Sequence, residues 1–499
     1  MTKRLFLILA ALTSFANLYA GPRENKPAAL LEYHLSWDGK SSILRVSLEY
    51  TAASKDSTVF IYGEPNIGGQ TEIFKVLGNI KAGAADRFTL DPKKRKITVF
   101  HNGAGTKKIS YEINGQVVGN PKRATVDELF RPLITSKILY LVPHFFMINP
   151  IDQHAEMVSI QWDSFPPDIP YFISTAAESR ASQKQTIAVA KKDDILMLMG
   201  SDLVINRYHV HGIPYYSITS KSDTINDLKA ELDPFFTRYF PDLRDFWKDD
   251  QAPYYYLCIL PLLSMDKPWA TGFGWGHGFI MKYSGKFDDD KKKVLAHETS
   301  HAWIGMGMRI GNDEFDNQWF GEGFNDYAML INLVKSDILD KTAFLAHVNK
   351  ENLSAHYTSP VKAAPNDSIA AKFWTDRNYQ VLPYKRGFIY AFYLDQQIRM
   401  SSGGRESIRD LLLQLFLRNQ KLRKADPNAK LTLEDFINAA SAYLPAQQVR
   451  QEVENYMLKG TPIDFRKVKL SRGFKIHYQD SIPVLDIDYK IDFKKAVSW

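Results

Sequence analysis

Val294-Leu295-Ala296-His297-Glu298-Thr299-Ser300-His301-Ala302-Trp303 is the stretch whose reading decides how the rest of the chain is read. It contains His-Glu-x-x-His. On a helix, residues four apart lie on one face, so His297 and His301 can offer imidazoles to the same point. Glu298 sits on the rim of that face, where it can reach a water held there. Two neutral imidazoles with a nearby carboxylate suit a catalytic zinc, one per chain, with Glu298 as general base. The bare pattern has a second reading, a solvated helix with two incidental histidines. The downstream sequence has to decide between them.

Two ligands leave a zinc site incomplete; catalytic sites of this kind use a third protein ligand and keep a position for water. Downstream lies Asp316-Asn317-Gln318-Trp319-Phe320-Gly321-Glu322-Gly323-Phe324-Asn325-Asp326-Tyr327. Its Trp-x-x-Glu-Gly-Phe core, followed by a helix-compatible run, resembles the gluzincin metallopeptidases, which place their third ligand, a Glu, on a second helix. The resemblance implies that Glu322 is that ligand. Twenty residues separate it from His301, slightly more than in the aminopeptidase N family, and an insertion in such a connection is easily tolerated. Asp326 follows four residues later, matching the Glu-x-x-x-Asp of thermolysin-like enzymes. By that resemblance it accepts a hydrogen bond from the first histidine and orients it. Pro383-Tyr384-Lys385-Arg386-Gly387 resembles the Tyr-x-Lys-Gly element of the same enzymes, whose tyrosine steadies the oxyanion. A phenol suits that duty because it donates one short hydrogen bond while neutral. Further on, the Ser-Ser-Gly-Gly-Arg break after residue 400, the run from Glu406 to Phe416, and Tyr456 to Phe465 are similar to the glycyl aminopeptidase family, a relative of aminopeptidase N. The likeness extends from about residue 30 to 465.

The chain departs from that pattern just before the zinc helix. Exopeptidases of the clan carry there a Gly-rich strand with a Glu that holds the substrate's α-ammonium. Here the sequence is Ala270-Thr-Gly-Phe-Gly-Trp-Gly-His-Gly-Phe279. Against Gly-Gly-Leu-Glu-His, Gly276 falls on the Glu and His277 on the His. Gly274, Gly276 and His277 are thus the expected substrate-binding residues, with a backbone edge for an extended peptide but no anionic anchor. The expected partner is a peptide or protein substrate. Two other readings stay open: a metal-dependent hydrolase of a non-peptide amide or ester, and a non-catalytic peptide-binding scaffold.

Lys3 and Arg4, the apolar run Leu5 to Ala16, and Leu18-Tyr19-Ala20 before Gly21 read as a signal peptide over 1–20. The expected location is periplasmic or secreted, with no stable membrane insertion after its removal; an uncleaved anchor is the alternative. The 499 residues exceed what one core supports. Hydrophobic residues make up 45% and charged ones 24%, an ordinary globular composition. The formal charge of +7, or +5 without Lys3 and Arg4 (7 − 2), is scattered and carries no nucleic-acid motif. Lys291-Lys292-Lys293 reads as the solvated face of the zinc helix. The single Cys258 cannot form an internal disulfide and sits in a buried-looking strand. Oligomeric state is not readable.

The expected fold class is α+β and multidomain. Residues 21–170 alternate in short periods, as at Ser42–Tyr50, Lys96–Phe100 and Lys108–Ile113, and read as an antiparallel β-sandwich-like domain. Asn66-Ile-Gly-Gly-Gln70 reads as a turn within it. Residues 171–404 are expected to form a thermolysin-like catalytic domain, with a helix over Thr224–Arg238 and a core strand over Tyr254–Leu260. His209 and His211, two apart, leave a second metal or a purely structural role open. Asp288, Asp289 and Asp290 can cap the zinc helix. Helices are expected near 317–335 and 380–400, a helical subdomain over 405–465, and a strand or two over 466–499.

Overall fold

The computed structural model describes residues 29–52, 56–62, 73–116, 127–151, 155–166, 168–174, 184–188, 195–262, 268–311 and 317–499. The segment 1–20 and the turn at Asn66–Gln70 lie outside the described residues. The chain divides into two compact units. The first holds residues up to His209 with Ile213–Leu228 and Ala252–Lys286, and the second holds Val210–Gly212, Lys229–Gln251 and Phe287–Trp499.

The first unit is built mainly of strands, and their alternation is the reason. In Ile43–Ala52, Leu44, Val46, Leu48 and Tyr50 are buried while Arg45, Ser47 and Glu49 turn the other way. This strand belongs to a six-stranded sheet, in the order Lys184–Ala188, Ala155–Ser164, Ala29–Ser36, Ile43–Ala52, Gly105–Asn114, Leu77–Ala82. The expectation of a purely antiparallel domain needs one correction: Ala29–Ser36 runs parallel to Ala155–Ser164. Alternation reports which face is buried, not the direction of the neighbouring strand. The long stretch between these two strands supplies the crossover that parallel pairing requires. Leu48, Phe60, Val99, Tyr111 and Phe146 share one core. The Tyr111 hydroxyl donates to the Phe146 carbonyl at 2.9 Å inside it.

The same unit carries a five-stranded mixed sheet, in the order Leu203–Val210, Ile213–Ser220, Tyr255–Pro261, Gly278–Ser284, Trp269–Trp275. Tyr255–Pro261 pairs parallel on both sides, and every residue before Pro261 is buried. That explains its continuous apolar run. Trp269–Trp275 is the edge strand, antiparallel to Gly278–Ser284. The helix expected from Thr224 begins only at Leu228. The Asp223 carboxylate accepts the backbone N–H groups of Ile225 and Asn226, fixing a turn that delays the helix.

The second unit is mostly helical. Its longest element is Arg377–Ser402, which ends on Gly403 at φ +66°, a left-handed stop that favours glycine. Asp395, fully buried on this helix, accepts the Tyr327 hydroxyl at 2.8 Å, Arg399 Nε at 2.9 Å and the Ile408 backbone N–H at 2.8 Å. One carboxylate thereby ties together the helices Asn325–Lys335, Arg377–Ser402 and Ile408–Ala425. The third starts with a capping box between Ser407 and Asp410. The tail forms a hairpin of Phe474–Gln479 and Ile482–Ile487, then a short helix, Phe493–Val497.

Cys258 lies at the centre of the mixed sheet, fully buried, and burial pushes its thiol up to about 12 despite the opposing pull of Lys282. A thiol reagent at about pH 8, below that value, should leave the folded chain unlabelled and modify one sulfur per chain in denaturant. Rapid labelling of the native protein would contradict this burial.

Candidate metal centre

The helix Asp289–Ser300 is set by its first residues. Asp288 has extended backbone angles and its side chain accepts the Lys291 N–H, while Asp289 and Asp290 place negative charge at the positive end of the helix. The three lysines that follow do not form a solvated face. The Lys291 side chain is 2% exposed, and each lysine is held by carboxylates: Lys291 by Asp288, Lys292 by Glu231 and Asp289, Lys293 by Asp290 and Glu351. Consecutive helical residues are turned about 100° from one another, so a run of three cannot share one face. On the inner side, the Tyr239 hydroxyl bonds the Ala296 carbonyl at 3.1 Å and the Ser300 hydroxyl at 3.1 Å, fixing the turn that bears the histidines.

His301 directly follows the last helical residue, but its φ of −59° and ψ of −20° continue the spiral, so the four-residue spacing holds. His297 Nε2 and His301 Nε2 lie 3.0 Å apart. Glu322 Oε2 is 3.3 Å from the first and 3.5 Å from the second. All three residues are buried. The far nitrogens define the chemistry of the near ones. His297 Nδ1 lies 2.6 Å from Asp326 Oδ1, and His301 Nδ1 lies 2.8 Å from the Ile304 carbonyl. A carboxylate and a carbonyl only accept, so each Nδ1 carries a hydrogen and each neutral ring turns a bare Nε2 lone pair inward. The buried Glu322 Oε2, which has no hydrogen-bond donor, faces the same point. Three lone-pair-bearing atoms converge on one point, a place for a proton or a metal cation.

The local field agrees. Burial alone would disfavour a charged His297, but Asp326, Glu322 and Glu298 outweigh it and raise its pKa well above the usual range. Burial would also raise Glu322, yet His301 and His297 hold its carboxyl down at about 2. The cluster favours positive charge at its centre. Two imidazole nitrogens and one carboxylate are a ligand set that fits zinc.

Glu322 is delivered by a π-helical turn, Trp319–Phe324, that runs into Asn325–Lys335. Asn325 Nδ2 donates to the His297 carbonyl at 2.9 Å, locking this turn to the histidine helix. The next helix comes closer than the motif spacing suggests. A Cβ on Gly323 would lie 2.4 Å from Gly387 Cα, and one on Gly387 would lie 1.9 Å from the Trp319 carbonyl oxygen. Only two glycines allow the backbones bearing Glu322 and Tyr384 to touch. Gly305, at φ +102°, is fixed in the same way, since its Cβ would meet His301 Nδ1 at 2.8 Å. The readable signal was a glycine directly after Glu322 and another three after Tyr384.

The Tyr384 ring lies nearly parallel to that of His297, with centroids 6.0 Å apart. Burial first, then Glu322, Glu298 and Asp326, raise its pKa well above the usual phenol range, so it stays a neutral donor. Glu298 is partly exposed. Its carboxyl is raised by burial within the surrounding protein, with His301 and His297 opposing.

Gly274, Gly276 and His277 belong to the first unit. Gly274 is in the edge strand, while Gly276 and His277 form the two-residue turn that joins it to Gly278–Ser284. Gly276 has φ +56°, a positive angle that favours glycine whatever the function of the turn. His209 is exposed on Leu203–Val210, and His211 pairs with Asp250 at 3.1 Å. Neither belongs to a metal-type cluster among the described residues; the two such clusters are His297, His301, Glu322 and Glu32, His34, Glu49.

No protein-family model matches the chain, and no curated protein matches it in sequence. Among solved structures it is similar to an aminopeptidase N family protein from Idiomarina loihiensis, with a TM-score of 0.68 and 14% identity over 90% of this chain and 79% of that one. At that identity the likeness is one of fold: α+β, multidomain, with several sheets and a helical part. An M1 zinc metallopeptidase from Deinococcus radiodurans superposes with a TM-score of 0.45 and 13% identity over 89% of this chain and 97% of that one, too low to establish a shared fold.

The glycine contact yields a direct expectation. Gly387→Ala forces a methyl group against the Trp319 carbonyl, with no flexible side chain to yield. It should cost about 3 kcal/mol or more and lower the melting temperature by several degrees. A variant as stable as the parent would show that the two backbones are not in contact.

Proposed function

We propose that this chain is a zinc-dependent metallopeptidase that hydrolyses peptide bonds, with its chemistry in a thermolysin-like domain over 171–404. The observation that carries the reading is the convergence of His297 Nε2, His301 Nε2 and Glu322 Oε2 on one buried point. Those three residues would hold the zinc. Zinc bound there supplies Lewis acidity, polarising a substrate carbonyl and making water acidic enough to be used near neutral pH.

The remaining duties fall to the chain's own side chains. Glu298, partly open to solvent, takes a proton from the attacking water and passes it to the leaving amine. Tyr384 donates its phenolic hydrogen to the oxyanion of the tetrahedral intermediate. Asp326 keeps the hydrogen of His297 on Nδ1 and leaves Nε2 free to ligate. The Gly323–Gly387 contact sets the spacing between carboxylate ligand and phenol.

Purified protein should bind about one zinc per chain at this centre, and His301→Ala should lose that ion. Glu298→Gln should keep the metal and lose turnover of a peptide library. Tyr384→Phe should lower kcat by roughly a hundred-fold or more. Full metal retention in His301→Ala, or near-normal rates in both other variants, would sink the assignment.

Specificity follows from charge. An α-ammonium bound away from water needs a carboxylate partner, and the edge-strand hairpin offers glycine at 276 where the exopeptidases of the clan carry Glu. Acetylated or longer peptides should therefore be cleaved at least as well as free amino-terminal reporters. The check is the kcat/KM of an amino-acyl reporter beside its acetylated form. A preference for the free amine of about a hundred-fold would place an anchoring acid elsewhere.

A further inference from the structure

A second buried charge in the helical unit lacks a counter-ion. Arg386, 4% exposed, follows Tyr384 by two residues on the long helix. Its Nη1 donates to the Met457 carbonyl at 3.3 Å, and its Nη2 donates to the Lys362 carbonyl at 3.3 Å and to the Ala364 carbonyl. Its Nε–H has no partner. No ion pair to Arg386 occurs among the described residues, although ion pairs are plentiful elsewhere in this unit. Carbonyl dipoles solvate a guanidinium but bring no full negative charge, and the end of the π-helical turn Val453–Leu458 adds only a partial one. A buried cation in that position is under-compensated.

His356 stands beside it, also 4% exposed, and its Nδ1 has no partner. Burial first, then Arg386 and Lys362, hold this ring down at about 3, so it is neutral in ordinary buffers. The two side chains line a small cavity together with Ile389, Tyr456, Met457 and Thr461, with room for one water-sized occupant. The two unpartnered groups are thus an Nε–H donor and, in its Nδ1–H tautomer, a second donor. Both residues border a space whose lining holds no acid.

We propose that this cavity binds one small monovalent anion of the chloride class, held by Arg386 Nε–H and His356 Nδ1–H. A halide accepts from several donors and has no hydrogen of its own to place. It also supplies the charge that the carbonyls lack. A water in the same spot would satisfy the two donors, leave its own hydrogens to find acceptors, and leave the guanidinium uncompensated. A chloride ion is only slightly larger than a water and needs small shifts of the lining side chains, whereas tetrahedral oxyanions such as phosphate are excluded by size. The site is structural: it pins the turn around Lys362–Ala364 and the end of Val453–Leu458 to the helix that bears Tyr384.

The test uses the full-length, zinc-loaded protein. Crystals grown in bromide should show an anomalous peak about 3.3 Å from both Arg386 Nε and His356 Nδ1. In solution the melting temperature should be about 2–4 °C higher in chloride than in gluconate at equal ionic strength of about 0.15 M. His356→Phe fills the cavity and removes one donor, so it should erase that difference. Arg386→Lys, which keeps the charge but loses the Nε–H, is the second variant if the first does not fold. Ordered density without anomalous signal in the cavity, bromide found only on the surface, or equal melting temperatures in the two salts would overturn the proposal and assign the space to water.

Discussion

The close approach of Gly323 and Gly387 is the constraint on which the helical unit depends. One backbone carries a carboxylate and the other a phenol, and no side chain stands between them. Everything around the centre is arranged to make that distance tolerable. Glu322 sits in a π-helical turn that widens the local spiral just where the second helix arrives. Asn325, one turn on, bonds the carbonyl of His297 and carries the alignment across to the first helix. The metal-type cluster is therefore less a property of three residues than of three backbones held at fixed separation.

Electrostatics then decides what such a cluster can hold. Each histidine has its outer nitrogen committed, one to a carboxylate and the other to a carbonyl, before any ligand arrives. When both rings are neutral the inner lone pairs repel one another, and Glu322 adds a negative oxygen to the same space. A buried arrangement of this kind is unfavourable alone and favourable around a cation.

Much of this was legible in the sequence, for physical reasons that also mark where legibility ends. A four-residue spacing on a helix is a local property, so the meeting of His297 with His301 could be read from the string alone. The strands at Ile43–Ala52, Lys96–Phe100 and Gly105–Asn114 announced themselves through alternation, and the Asp288 cap through its position. Properties set by distant neighbours were not readable. The parallel partner of Ala29–Ser36, the Glu231 and Glu351 carboxylates that pair with Lys292 and Lys293, and the glycine contact all depend on segments remote in the chain. Gly276 is instructive because its identity invites a functional explanation, yet a positive φ in a two-residue turn already favours glycine.

Asp395 has a consequence for how the helical unit opens. Its two oxygens serve three donors from three helices, among them the backbone N–H of Ile408, the first residue of its helix. The first amides of a helix have no partner within it and would ordinarily fray. Here that amide is bound inside the core by Oδ1, while Oδ2 holds Tyr327 and Arg399, so fraying from this end would strip a donor from a fully buried carboxylate. That penalty ties opening at this terminus to opening of the core around Asp395. In amide hydrogen exchange Ile408 would report on the cooperative unfolding of the whole helical block rather than on the mobility of one terminus.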